Sequence, residues 1–126
     1  MAATLDLHVD CILQNQLFGY RIERRHRAGL PGQPMFWHAD LPRMKEADYR
    51  GACFGIHSYP WQSEGGWERL NSQIRYLDRI AEAEPWVERV QEPSDWQEGG
   101  ERRLAVAPGV EGAHMLNRRL ERVGDL

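Results

Sequence analysis

The first predicted strand is the stretch Leu5-Asp6-Leu7-His8-Val9-Asp10, which alternates apolar and polar residues over six positions. Alternation with a period of two is typical of a β-strand whose two faces meet different surroundings. We expect the apolar residues on one face and Asp6, His8 and Asp10 on the other. Histidine and aspartate two positions apart project to the same side of a strand, and both are common metal ligands. The stretch therefore predicts a strand that presents a possible metal site.

Composition limits the class of protein. The chain has 126 residues and a formal net charge of −3, so one domain with a real core is expected and a nucleic-acid or anionic-membrane surface is not. No secretory leader or transmembrane segment is recognisable, which predicts a soluble, cytoplasmic protein. Cys11 and Cys53 each lie beside or within an apolar run, and their spacing predicts buried reduced thiols rather than a disulfide framework or a zinc knuckle.

The remaining chain alternates strand and helix patterns. Residues 51–59 are mostly apolar and short, as expected for a buried strand, and residues 67–84 carry apolar side chains at the spacing of an amphipathic helix that ends before Pro85. Residues 104–112 form a third apolar strand, and residues 116–123 form a helical tail. This order predicts an α/β protein with a parallel sheet. We expect the core to include Leu5, Leu7, Val9, Phe54, Ile74, Leu77, Val106 and Val110.

The segment His38-Ala39-Asp40-Leu41-Pro42 repeats the His-x-Asp spacing in a different context. A proline is poorly tolerated inside a central strand but is favoured in the first turn of a helix. We therefore expect Asp40 to cap a helix at about residues 41–48, and His38 and Asp40 to bind no metal.

Ionisable residues stand at the predicted carboxyl ends of all three strands, where parallel sheets bind ligands. His8 and Asp10 end the first strand, His57 stands near the end of the second, and Glu111 ends the third. A carboxylate that follows an apolar strand is costly to bury unless it is paired or binds a metal. We therefore expect His8, Asp10 and Glu111 to face one metal site, with His57 as a possible pocket-lining residue.

The alternative for Glu111 is that it caps the following helix together with His114 and binds nothing. Gly109 and Gly112 flank Glu111 and are expected to leave room for a metal or a substrate. The strand pattern alone does not decide between these two interpretations.

Three motifs together resemble the membrane (renal) dipeptidases, peptidase family M19 of the amidohydrolase superfamily. They are Asp6-Leu7-His8-Val9-Asp10, His38-Ala39-Asp40-Leu41-Pro42-Arg43 and Gly109-Val110-Glu111-Gly112-Ala113-His114. In that family the first motif usually reads Asp-Gly-His-x-Asp, so Leu7 departs from it. The last usually reads Gly-x-Glu-Gly-x-His. The resemblance runs across essentially the whole chain.

The resemblance implies zinc-dependent hydrolysis of dipeptides by a metal-bound hydroxide. His8 and Asp10 would bind one of two zinc ions, and Glu111 would bridge both. Asp6, His57 and His114 are possible pocket-lining residues, and no catalytic residue is assigned. The two histidines that complete the second zinc site in the family, and its late aspartate, have no counterpart here. We therefore expect at most one weakly bound zinc ion.

The fold implied is the first three βα units of a TIM-type (β/α)8 barrel, so residues 1–126 are expected to form a single partial barrel domain. On this hypothesis the chain is the N-terminal part of a dipeptidase and is inactive by itself. Two alternatives are a non-catalytic α/β module and a half-barrel that another chain completes. Open sheet edges also predict self-association. The expected partner is a dipeptide substrate, with no nucleic acid and no membrane segment.

Overall fold

The computed structural model describes residues 4–27, 39–59, 64–96 and 103–125. Four strands are present in these ranges, namely β1 (Thr4–Val9), β2 (Tyr49–Ile56), β3 (Val87–Arg89) and β4 (Leu104–Val110). The α-helices are α1 (Ile12–Phe18), α2 (Leu41–Glu46) and α3 (Gly66–Ala83). The strands form one sheet in the order β1-β2-β4-β3, and all three pairings are parallel. The predicted parallel α/β fold is confirmed.

The prediction of three strands is wrong, because β3 is a fourth. It contains only three residues, too few to show a period of two in the sequence. Its place is fixed by long-range backbone hydrogen bonds: Leu104 N donates to Trp86 O (2.9 Å) and Val90 N donates to Val106 O (2.9 Å). The chain therefore passes along the far edge of the sheet before β4 inserts between β3 and β2.

The helices cover one face of the sheet and form the core with it. Even-numbered residues of β2 and β4 face the helices, and α3 contributes the largest apolar stripe, as its spacing predicts. No helix in the described ranges is long and apolar enough to cross a membrane. The fully buried side chains at this interface include Phe54, Ile56, Leu70, Leu77, Leu104 and Val106.

The structure of β1 differs from the simple alternation of faces that its sequence predicts. Leu5 pairs with Gly51 and Val9 pairs with Phe54, so five residues of β1 lie opposite four of β2, and the register shifts between Asp6 and Val9. Residues 51 and 54 of a strand point to opposite faces, and a bulge of this kind reverses the side on which later residues lie. Val9 is therefore buried in the core.

Three residues predicted to be in the core are instead exposed. Leu5 and Leu7 are 50% and 76% exposed because β1 is an edge strand with a register shift, and Val110 is 37% exposed at the open end of β4. On the face away from the helices, a Cβ at Gly51 would overlap the Trp96 ring and would approach Leu5 Cδ2 at 2.9 Å. Trp96 therefore covers the amino-terminal part of this face and leaves its carboxyl end open.

The capping prediction at Asp40 is confirmed. α2 begins at Leu41, Pro42 stands in its first turn, and the Asp40 carboxylate accepts a hydrogen bond from Arg43 N at 2.9 Å. Asp40 is fully buried, and it also accepts from Arg43 Nε (2.6 Å) and from His26 N (2.9 Å). These bonds occupy both of its oxygens. His38 lies outside the described residues.

The predicted helical tail is confirmed only in part. Residues after β4 form two short 3₁₀ turns, His114–Leu116 and Leu120–Asp125, in place of an α-helix. Leu120 and Val123 are 77% and 57% exposed, so the apolar stripe expected of the tail has nothing to pack against among the described residues. Helices of this length are marginal without such packing.

Candidate metal centre

Three side chains from the two ends of the chain meet at the carboxyl end of the sheet. His8 Nε2 lies 3.2 Å from Asp10 Oδ1 and 3.1 Å from Glu111 Oε1, although β1 and β4 do not pair with each other. One donor atom from each residue lies within 4.8 Å of the others. His8 and Asp10 have side chains that are 61% and 48% exposed, so the cluster is accessible to solvent.

Gly55 makes this meeting possible. It lies in β2, between β1 and β4, and is in register with Gly109. A Cβ at Gly55 would overlap both Glu111 Oε1 and Asp10 Oδ1. Two carboxylate oxygens from strands on either side therefore converge over the same α-carbon. A glycine inside a strand often marks such a close approach, and the sequence analysis did not use that signal.

The donor set fits zinc. One imidazole nitrogen and two carboxylates match the ligands that zinc takes in proteins, and three ligands leave a position open for water or substrate. Glu111 Oε1 is buried and has no hydrogen-bond partner among the described residues, because His8 Nε2 is close but not in hydrogen-bonding geometry. Two converging carboxylates repel each other unless a cation is near. An orphaned carboxylate oxygen in this position is what a cation would satisfy.

The other predicted residues lie around this cluster. His57 Nδ1 lies 4.0 Å from Glu111 Oε2, whereas His8 Nε2 lies close to the other oxygen, Oε1. His114 Nε2 lies 3.4 Å from Ser58 Oγ, so His114 meets the segment after β2. Asp6 Oδ1 accepts a hydrogen bond from His8 N at 3.0 Å, inside the register shift of β1. Asp6 and His114 thus contact neighbouring residues of the site and are not among its three donors.

The two glycines beside Glu111 were expected to leave room for a metal or a substrate, but the structure gives each of them a different role. A Cβ at Gly109 would come within 2.8 Å of Cys53 Sγ, so this glycine makes room for a thiol. Gly112 has φ of 77°, a left-handed conformation that turns the chain after Glu111 and that glycine adopts without strain.

Burial, followed by the charge of Glu111, raises the pKa of the Cys53 thiol and favours its neutral form. The predicted free thiols are confirmed, although only Cys11 is fully buried.

Two buried glutamines, which sequence reasoning missed, hold the backbone of the site. Gln14 Nε2 in α1 donates to Asp10 O at 2.9 Å, and Gln73 Nε2 in α3 donates to His57 O at 2.6 Å. Both side chains are nearly fully buried. In the sequence, Gln73 stands at a helix position beside the apolar stripe, and a polar residue there is the only signal that points to a buried contact.

Comparison with known proteins decides the family. A family model described as membrane dipeptidase (peptidase family M19) matches residues 2–126. The chain belongs to this family. The match includes all three motifs, and the resemblance drawn from them is confirmed. No curated protein sequence gives a significant match.

Solved metallopeptidase structures share the fold. Dipeptidase AC, a metallopeptidase of family M19, superposes with a TM-score of 0.76 and 19% identity over 97% of this chain and 38% of its own. A metallopeptidase from Rhodobacter sphaeroides, solved with a phosphinate mimic of the dipeptide L-Ala-D-Ala, superposes with a TM-score of 0.77 and 17% identity. That match covers 97% of this chain and 41% of the other. The chain spans about two fifths of these relatives, and its sheet is a partial barrel.

Proposed function

We propose that this chain is the metal-binding N-terminal part of a zinc-dependent M19 dipeptidase, and that residues 1–126 form one partial barrel domain. His8, Asp10 and Glu111 are the proposed ligands. The observation that carries the proposal is the convergence of Asp10 Oδ1 and Glu111 Oε1 over Gly55, with the latter oxygen buried and without a hydrogen bond. Membership in a metallopeptidase family supports the same assignment.

The chain's own residues perform the binding part of this function. A zinc ion held here would supply Lewis acidity and lower the pKa of water toward neutrality, which is the chemistry that peptide hydrolysis needs. Gln14 fixes the backbone at Asp10, so that this carboxylate approaches Glu111 from the end of β1. The exposed side chains of His8 and Asp10 leave the site open to a small polar substrate such as a dipeptide.

Zinc binding tests the proposal directly. The chain is stripped of metal with a chelator and titrated with Zn²⁺ by calorimetry, and the bound metal is counted by elemental analysis. We expect specific binding by the unmodified chain and its loss in His8→Ala. His26→Gln is the matched control, because His26 contacts Arg21 O and Asp40 and is not one of the three proposed donors. Zinc binding that is unchanged in His8→Ala, with folding verified by circular dichroism, refutes the assignment.

A second candidate function is that of a half-barrel completed by another chain. The observation that favours it is the edge strand β1, whose Leu5 and Leu7 side chains are largely exposed. Unpaired strand edges recruit further strands. On this hypothesis the metal ligands are the same, but the substrate pocket includes residues of a second polypeptide. Activity that appears only above the concentration at which the chain self-associates would favour this candidate.

A further inference from the structure

Asp6 and His8 leave β1 on opposite faces, although they are two residues apart. Asp6 lies opposite Ala52, which is fully buried beneath the helices, so the Asp6 side chain leaves the strand on the helix side. His8 Nε2 instead reaches Glu111 Oε1 at 3.1 Å, on the face that Gly55 leaves open. Residues two apart in a regular strand share a face, so β1 is not regular between these two positions.

The extra residue in β1 is what changes the face. Between Asp6 and Val9, two residues of β1 stand opposite one residue of β2. Bulges of this kind re-aim the side chains that follow them, and they are common next to functional sites. With unbroken alternation, His8 would share the helix side with Asp6 and could not meet Glu111. The bulge is therefore a condition for the proposed metal centre.

The Asp6 carboxylate bonds to the backbone inside this bulge. Its Oδ1 accepts a hydrogen bond from His8 N at 3.0 Å, within the span where the register shifts. A bulge disrupts the hydrogen-bond ladder locally, and a backbone amide left out of the ladder needs another acceptor. Aspartate side chains commonly accept from the amide two residues further on, and this bond competes with regular secondary structure. The side chain at position 6 therefore favours the irregular backbone at His8.

Side-chain packing does little to hold the same segment. Leu7, inside the bulge, is 76% exposed, and the side chain of His8 is 61% exposed. Burial anchors β1 only from Val9 onward. Because β1 is an edge strand, β2 alone sets its register through backbone pairing. A local hydrogen bond to Asp6 is thus well placed to decide which way His8 points.

We propose that Asp6 is a positioning residue of the metal centre, whose side-chain oxygen holds the bulge that turns His8 toward Glu111. This inference rests on the proposed function, since zinc binding by His8 is part of that function. Asp6 itself binds no ion, and its role differs from the pocket-lining position expected from the sequence. The position requires a hydrogen-bond acceptor of this length, and the negative charge is secondary.

Zinc calorimetry with three variants of the 126-residue chain tests the inference. Asp6→Ala removes the acceptor, Asp6→Asn keeps it without the charge, and Asp6→Glu keeps the charge but moves the acceptor by one methylene. We expect zinc affinity to fall by about tenfold or more in Asp6→Ala and Asp6→Glu, the range for loss of an outer-shell contact. We expect Asp6→Asn to bind zinc nearly as the unmodified chain does.

Amide hydrogen exchange without metal gives a second measurement that is independent of zinc. The His8 amide should exchange several-fold faster in Asp6→Ala than in the unmodified chain, and Asp6→Asn should restore its protection. Asp125→Ala is the matched control, because Asp125 lies exposed in the final 3₁₀ turn. This control should change neither zinc affinity nor exchange at His8. Thermal unfolding verifies that each variant is folded.

The outcomes separate this inference from the proposed function. Unchanged zinc binding in folded Asp6→Ala overturns the inference and leaves the three proposed ligands in place. Equal losses in Asp6→Ala and Asp6→Asn also overturn it, because they make the charge responsible instead of the acceptor. A lack of specific zinc binding by the unmodified chain refutes the proposed function, and the exchange rates at His8 then decide whether Asp6 holds the bulge. If Asp6→Ala fails to fold, Asp6→Glu and Asp6→Asn give the same comparison.

Discussion

His8 Nε2 lies 3.1 Å from Glu111 Oε1, although the two residues come from the first and last strands of the described sheet. The strands β1 and β4 do not pair with each other, because β2 lies between them. The contact exists because the β2 residue beneath it is Gly55, whose missing side chain leaves space for both carboxylates of the cluster. The ends of β1 and β4, with Gly55 of β2 between them, thus build one candidate site.

The Glu111 carboxylate is expected to be the residue on which zinc affinity depends most. Glu111→Gln removes one of the two carboxylate charges of the proposed site, and we expect zinc affinity to fall by at least about tenfold, the range seen when even outer-shell partners are lost. Calorimetric titration measures the change. Glu121→Gln, on the exposed final turn, is the control and should bind zinc as the unmodified chain does. Equal affinities in the two variants would contradict the role of Glu111.

Gly55 is expected to be sensitive to the smallest possible side chain. In Gly55→Ala the new Cβ overlaps Asp10 Oδ1 and Glu111 Oε1, so one carboxylate must move away and zinc affinity should fall. Gly124→Ala is the control, since a Cβ at Gly124 meets nothing within 4 Å. Zinc titration of both variants, with thermal unfolding to verify the fold, gives the comparison. Undiminished zinc affinity in Gly55→Ala would show that the two carboxylates do not converge in solution.

Asp40 is expected to stabilise the fold and to take no part in metal binding. A helix cap alone contributes about 1 kcal/mol, but the fully buried Asp40 carboxylate also pairs with Arg43, whose side chain is 17% exposed, and accepts from His26 N. Removing one partner of a buried ion pair leaves the other charge uncompensated, so the loss of stability exceeds that of a cap alone. Asp40→Ala should therefore lower the free energy of unfolding by about 3 kcal/mol. Urea denaturation measures this. Asp40→Asn, which retains a capping oxygen, should lose less, and a loss of zinc stoichiometry in either folded variant would argue against the assignment.

Glu23 is expected to make stability depend on pH in the acid range. Burial by itself raises the pKa of this carboxyl, but hydrogen bonds from the Tyr76 hydroxyl, from its own backbone amide and from Arg21 outweigh it and lower the pKa below the usual value near 4.5. A lowered folded pKa means that the unfolded chain binds the proton more readily. The stability is therefore present above about pH 4.5 and is lost as pH falls through the folded pKa.

Denaturant unfolding between pH 7 and pH 3 tests this sign. The difference in the free energy of unfolding between the unmodified chain and Glu23→Gln should shrink as the pH falls below about 4.5. Glu121→Gln serves as the exposed control and should show no such trend. A difference that grows toward low pH would mean that the hydrogen bonds from Tyr76 and Arg21 do not favour the charged carboxylate.

The isolated 126-residue chain is expected to lack significant dipeptidase activity and to self-associate. Its described residues supply few metal ligands, and β1 and β3 each have one strand neighbour only. Analytical ultracentrifugation with a zinc-supplemented dipeptide hydrolysis assay checks both parts. A stable monomer that hydrolyses dipeptides at ordinary enzymatic rates, about 1–10³ s⁻¹, would mean that the site is completed within this chain, with His57 and His114 as the first residues to substitute.

The sequence by itself determined the local elements and the kind of side chain at each strand end. Helix α3 follows from the spacing of its apolar residues, and the start of α2 follows from Asp40 and Pro42, since both signals act within a few residues of the backbone they shape. The order of strands and helices likewise predicts the parallel sheet. The motifs around His8 and Glu111 were also sufficient to identify the M19 family, which the family match confirms.

Only the tertiary structure decided which of these side chains meet. The strand β3 is too short to have a sequence pattern, and it exists because its backbone hydrogen-bonds to the edge of β4. The register shift in β1 depends on pairing with β2, and it separates Leu5 from Val9, which alternation had placed on one face. The approach of His57 to the second oxygen of Glu111 likewise depends on strand register and on Gln73. Register, bulges and buried polar contacts join residues far apart in the chain, so no local pattern contains them.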